Sequence, residues 1–167
     1  MKRLLFVVDA ENLFYSAVAA YGRGARVNYI KLLRASRGNQ VYDSVHASCY
    51  LAYMNEIPQR FTSLLRSFGY KVYLKRTTPQ GRRGVLQANW DVGIVVDVME
   101  SEDHFEHFAL ATGDGDFLPL IHHLKRRGKH VRLLTFPDSC GINLQRECDE
   151  VVTLDENFLM ERKENEV

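Results

Sequence analysis

Leu4 to Asn12 read LLFVVDAEN. Five apolar residues in a row, ending on the β-branched pair Val7 and Val8, are too few for a core helix and suit a strand buried on both faces. The run stops at a carboxylate, Asp9, and Asn12 to Ala20 then follow with helical character. A buried strand that ends on an acid and turns directly into a helix is the opening of a βαβ unit, and the rest of the chain repeats that alternation. Val45–Met54, Tyr70–Lys75, Phe105–Thr112, Lys129–Phe136 and a stretch around Val151 read as strands. Between them lie helical segments at Val27–Ser36, from Pro58 to Gly69, within Leu86–Glu100, at Phe117–Arg127 and near Ile142. The expected fold is α/β, with a mainly parallel sheet covered on both sides.

The 167 residues fit one domain, with 46% hydrophobic and 26% charged residues, too apolar for disorder. No stretch approaches a membrane span, and the N-terminal apolar run is too short for a signal-peptide core, so a cytoplasmic location is expected. Cys49, Cys140 and Cys148 form no CxxC pair, and reduced thiols are the expected state. Cys140, Cys148 and His130 lack zinc spacing, and His122 and His123 read as surface or helix-end residues. The residues divide into a domain over 1–155 and a charged tail over 156–167, which leaves open either self-association into a homo-oligomer or a solubilising role.

The net charge of +1 hides segregation: residues 57 to 90 hold seven bases and no acid, 91 to 116 eight acids and no Lys or Arg, and 117 to 134 five bases and no acid. The acidic centre suits cations and the two basic blocks suit phosphate.

Sites in open α/β sheets form at the carboxyl ends of strands. Asp9 ends the first strand, Asp114 and Asp116 follow the fourth in TGDGDF, and Asp91 sits where a Gly-rich basic loop enters a helix. If strands one and four are neighbours, these four carboxylates converge, with Asn12 and Thr112 supplying hydrogen bonds. Like charges so close destabilise the fold unless compensated, and oxygen donors without His or Cys suit Mg²⁺ or Mn²⁺. Asp97 is six positions beyond Asp91, about 240° around and about 9 Å along a helix, so both cannot easily reach one ion. Asp97 is therefore expected to act beside the site, as a ligand-orienting group, an ion-pair partner or a peripheral ligand. Tyr50, Tyr53, Phe61 and Phe68 read as core. Trp90, beside Asp91, is a candidate for stacking on a nucleotide.

FVVDAENLF, WDVGIVVDVM and ATGDGDFLPLI, in that order across nearly the whole chain, resemble the NYN domain family, and most closely its LabA-like bacterial branch, related to PIN-domain ribonucleases. The resemblance implies a PIN-like three-layer α/β/α sandwich, a divalent metal site and RNA cleavage. It places the family's acidic residues on Asp9, Asp91, Asp97, Asp114 and Asp116, with Asn12 and Thr112 beside them. The family's usual lysine shortly before the middle aspartate is missing from LQANWD, where Arg82 or Arg83 could substitute.

The leading expectation is a metal-dependent ribonuclease acting on single-stranded RNA, with Arg76, Arg82, Arg83 and Trp90 contacting the RNA. The alternative is an RNA-binding or regulatory module with little turnover. A small phosphohydrolase is a third reading; an aspartyl-nucleophile phosphatase would carry DxD after the first strand, and DAEN argues against it.

Overall fold

The computed structural model describes residues 1–77 and 90–161. Six strands, β1 (Arg3–Asp9), β2 (Ser44–Tyr53), β3 (Tyr70–Arg76), β4 (His107–Ala111), β5 (His130–Thr135) and β6 (Glu150–Thr153), form one sheet in the order β3-β2-β1-β4-β5-β6. Every pairing is parallel. The helices are α1 (Ala10–Tyr21), α2 (Tyr29–Arg37), α3 (Gln59–Ser67), α4 (Asp91–Glu100), α5 (Leu118–Arg126) and α6 (Ile142–Glu147). Among the described residues, no helix is long and apolar enough to cross a membrane.

Strand alternation sorts the core into two halves. Leu4, Phe6 and Val8 of β1 face α1, α2 and α3, meeting Leu13, Leu32 and Leu65. Val7 faces the other way, with Phe108, Leu110, Val131 and Leu133, toward Ile94, Val98, Ile121 and Leu144 of α4, α5 and α6. The result is a three-layer α/β/α sandwich. Each fully buried Leu, Phe or Val contributes about 1.5–3 kcal/mol, so β1, buried on both faces, holds the layers together.

The chain builds β1, β2 and β3 to one side, then returns to β1 and lays β4, β5 and β6 to the other. This makes the β1–β4 junction the topological switch point, where ligand crevices form at strand carboxyl ends. Asp9 ends β1, and Thr112 follows directly on β4 beside it.

Several boundaries differ from the sequence expectation. The first helix starts at Ala10, because the Asp9 side chain accepts from the Asn12 N–H and caps it. The middle helix is described from Asp91, and the loop after Thr77, with Arg82, Arg83 and Leu86, lies outside the described residues. Glu156–Met160 lie against the domain: Leu159 bridges to Val27, and the Met160 N–H donates to the Arg26 carbonyl at 2.7 Å. Cys49 is buried, Cys140 and Cys148 are half-buried, and all three are free thiols.

One feature had no sequence signal. Arg132 on β5 is only 4% exposed, with its guanidinium held by Glu150 at 2.5 Å and by the Ser36 carbonyl at the end of α2 at 2.6 Å. Gly38 closes α2 at φ +56°, and a Cβ there would lie 2.5 Å from Arg132 Nη2. Gly38→Ala is therefore expected to lose about 1–3 kcal/mol through backbone strain and displacement of the buried ion pair. Urea unfolding of wild type and variant measures this; unchanged stability would show that the α2 end does not depend on that close approach.

Candidate functional site

Three segments meet at the switch point. The first is the β1–α1 junction. Asp9 is 7% exposed; one carboxylate oxygen accepts from the Asn12 N–H at 3.2 Å and the other from the Thr112 hydroxyl at 3.3 Å. The second is the loop after β4, where the Gly113 N–H donates to Asn12 Oδ1 at 2.6 Å and the Asp114 N–H to Thr112 Oγ1 at 3.1 Å. Asp114 in turn accepts from the Asp116 N–H at 2.9 Å, turning the chain through Gly115–Phe117 into α5. Gly113 cannot carry a side chain here, since a Cβ would sit 2.6 Å from the Ser139 carbonyl.

The third segment is the start of α4. Trp90 is half-buried: its indole N–H donates to the Leu51 carbonyl at 3.2 Å, and its ring meets Tyr50 and Tyr73 edge-on. Lys75 Nζ lies 5.6 Å from the Trp90 ring centroid. This packing presents Asp91, the next residue, to the mouth. Gly93 makes room for it, as a Cβ there would meet the Trp90 ring at 2.8 Å.

Asp91, Asp114 and Asp116 each offer a carboxylate oxygen, and these oxygens lie within 4.8 Å of one another. Asp91 and Asp114 are half-buried and Asp116 is exposed. An all-oxygen donor set this compact fits a hard divalent ion such as Mg²⁺ or Mn²⁺. Asp9 adjoins the trio without being one of its members and feels the charges of Asp91 and Asp114. Burial pushes its carboxyl up to about 6, with those two charges adding to the rise and the Asn12 and Thr112 hydrogen bonds opposing it.

Asp97 is turned to the β2 side, accepting from the Tyr50 hydroxyl at 2.7 Å. Arg76 ends β3, exposed, with Nε 3.4 Å from the Met54 carbonyl. Arg82 and Arg83 lie outside the described residues. Four of the five bases of the second basic block are engaged within the protein, and Arg126 is exposed. Arg132 and Lys125 pair with Glu150 and Asp149, Arg127 with Glu102, and Lys129 donates to the Glu102 and Phe105 carbonyls. His123 pairs with Glu102 and His122 with Glu147, consistent with surface positions.

Glu11 is a group that sequence reasoning passed over. Burial raises its carboxyl above the ordinary glutamate range, and the charge of Asp91 adds to the rise. Its position two residues after Asp9, on the first turn of α1, was the available signal.

The NYN domain family model matches residues 3–155. The chain is 26% identical over 160 residues to the low amplitude and bright protein LabA of Synechococcus elongatus, covering 92% of this chain and 84% of that protein. Among solved structures it is similar to a protein of unknown function from Vibrio parahaemolyticus. The two share 30% identity with a TM-score of 0.82, over 95% of this chain and 96% of that one.

The buried Asp9 has a consequence for stability. The folded chain keeps its proton up to about pH 6, whereas the unfolded carboxyl titrates near 3.8. Between those values the folded state binds more protons, so stability falls as pH rises, by at most about 3 kcal/mol. Asp9→Asn, which retains the capping oxygen, is expected to stabilise the metal-free protein at pH 8, with a gain that shrinks toward pH 4. Thermal unfolding in chelator across this range is the measurement, and a destabilised variant at pH 8 would contradict it.

Proposed function

The chain belongs to the NYN domain family, and from that membership we propose that it is a divalent-metal-dependent ribonuclease acting on single-stranded RNA. The observation that carries the reading is the approach of Asp91, Asp114 and Asp116 at the β1–β4 switch point. These three, with Asp9 adjoining, would hold Mg²⁺ or Mn²⁺. An ion held there would supply an activated water and stabilisation of the charge that develops on a phosphodiester.

The protein's own residues supply placement. Asn12 and Thr112 hold Asp9 and the DxD loop together, so the carboxylates are set before substrate arrives. Asp97, bonded to Tyr50, anchors α4 beneath Asp91 and acts on the site through that helix. Arg76, with Arg82 and Arg83 in the segment that follows it, contacts phosphates, which makes binding salt-dependent. Trp90 acts as a support for Asp91, packed on Tyr50 and Tyr73. A flexible single strand bends into a recessed mouth more readily than a duplex.

The missing lysine in LQANWD favours a second reading, an RNA-binding module with little turnover. One assay separates the two. Labelled single-stranded RNA is expected to be cut with multiple turnover in Mn²⁺ and to survive in excess chelator. Asp114→Asn is expected to slow cleavage by roughly 100-fold or more, since losing a ligand removes several kcal/mol of charge stabilisation. Wild-type rates from Asp114→Asn or in chelator would sink the nuclease assignment. Salt-sensitive binding without product would favour the second reading.

A further inference from the structure

A cavity of about 840 Å³ lies between α1, α2, α3 and the end of β2, within the size range of small-ligand pockets. It begins next to the acidic mouth in the chain, because Ala10 and Glu11, which follow Asp9 directly, line it. Its aromatic lining includes Tyr53, Phe61 and Phe68, all half-buried, together with Phe14 and Tyr15. Those last two are 42% and 58% exposed and meet edge-on with centroids 5.4 Å apart. Large exposed aromatics side by side on one helix form the kind of apolar patch that marks a binding surface.

The charges around the groove favour an anionic occupant. Glu11 is the one carboxylate in the described lining. Arg26 is in the lining and exposed, Arg60 is exposed next to Phe61, and Arg76 is exposed next to Thr77, another lining residue. Arg26 Nη1 and Arg76 Nε reach backbone carbonyls, which fixes these guanidinium groups at the rim while each retains further donors. Flat apolar surfaces bordered by fixed cations match flat bases on a phosphate backbone.

We propose that this groove takes the unstacked bases of the single-stranded RNA flanking the phosphodiester held at the acidic mouth, with Phe14 and Tyr15 as the stacking surface. The assignment rests on the ribonuclease reading for its substrate class. A duplex keeps its bases inside the helix and gains nothing from such a groove, so the groove selects single strands.

The test uses the full chain carrying Asp114→Asn in Mg²⁺, with a single-stranded RNA containing 2-aminopurine and the same RNA with abasic residues at the bases. The 2-aminopurine fluorescence is expected to fall on binding, and the abasic RNA to bind about 10-fold more weakly, given what base–aromatic stacking contributes per base. Adding Phe14→Ala with Tyr15→Ala is expected to bring the affinity for base-bearing RNA down to the abasic level and leave the abasic affinity unchanged. Phe14→Tyr with Tyr15→Phe is expected to preserve binding. Equal affinity for the two RNAs, an undiminished double-alanine variant, or no RNA binding overturns the proposal. So does a protein dimer that the double-alanine variant dissolves. The two readings separate in the wild-type protein with Mn²⁺. Cleavage of abasic RNA as efficient as that of base-bearing RNA sinks only the groove, whereas base-dependent binding without any cleavage sinks only the nuclease.

Discussion

A carboxylate buried at the end of a central strand has to be held by hydrogen bonds from its surroundings, or its charge works against folding. Asp9 meets this condition through two contacts from different parts of the chain, the Asn12 N–H on α1 and the Thr112 hydroxyl after β4. Because Asn12 also accepts from the Gly113 N–H, the first turn of α1 and the loop after β4 are latched around the same carboxylate. That latch sets where Asp114 and Asp116 stand. It also explains why the loop tolerates no side chain at Gly113, which lies against the Ser139 carbonyl.

Asp91 reaches the mouth from the opposite face of the sheet. Its helix is seated by Trp90 against Tyr50 and Tyr73 and by the Tyr50–Asp97 hydrogen bond. The end of β1, the loop after β4 and the start of α4 thus deliver carboxylates to one place. Three acids at such close quarters are tolerable because two remain half-buried and Asp116 is exposed, leaving water and counter-ions access. Asp9 is the most buried of the four, and that burial, with the charges of Asp91 and Asp114 adding to it, pushes its carboxyl up.

The alternating charge blocks have a mixed meaning in three dimensions. Of the acidic block, Asp91, Asp114 and Asp116 gather at the mouth, while Glu102 and Glu106 are tied to Arg127 and Arg3. The basic block over 117–134 is used mostly for internal pairs that join α5, β5 and the start of β6. Around the apolar groove, Arg26, Arg60 and Arg76 are exposed cations open to a polyanion.

Much of this was readable from residue order alone. LLFVVD reads as a doubly buried strand, strand-like and helical segments alternate along the chain, and the carboxylates at strand ends are visible in DAEN and TGDGDF. Helix geometry already separated Asp97 from Asp91, and the structure turns it to Tyr50. Strand order, by contrast, depends on which apolar faces bury best together, so the adjacency of β1 and β4 was a condition in the sequence and a fact only in the fold. The same holds for Arg132 buried beneath α2, for Trp90 turned inward, and for Glu11 brought beside Asp91. Local periodicity determined the elements and the acids they carry. Long-range packing decided which acids meet, because contacts between distant segments leave no mark on the spacing of neighbouring residues.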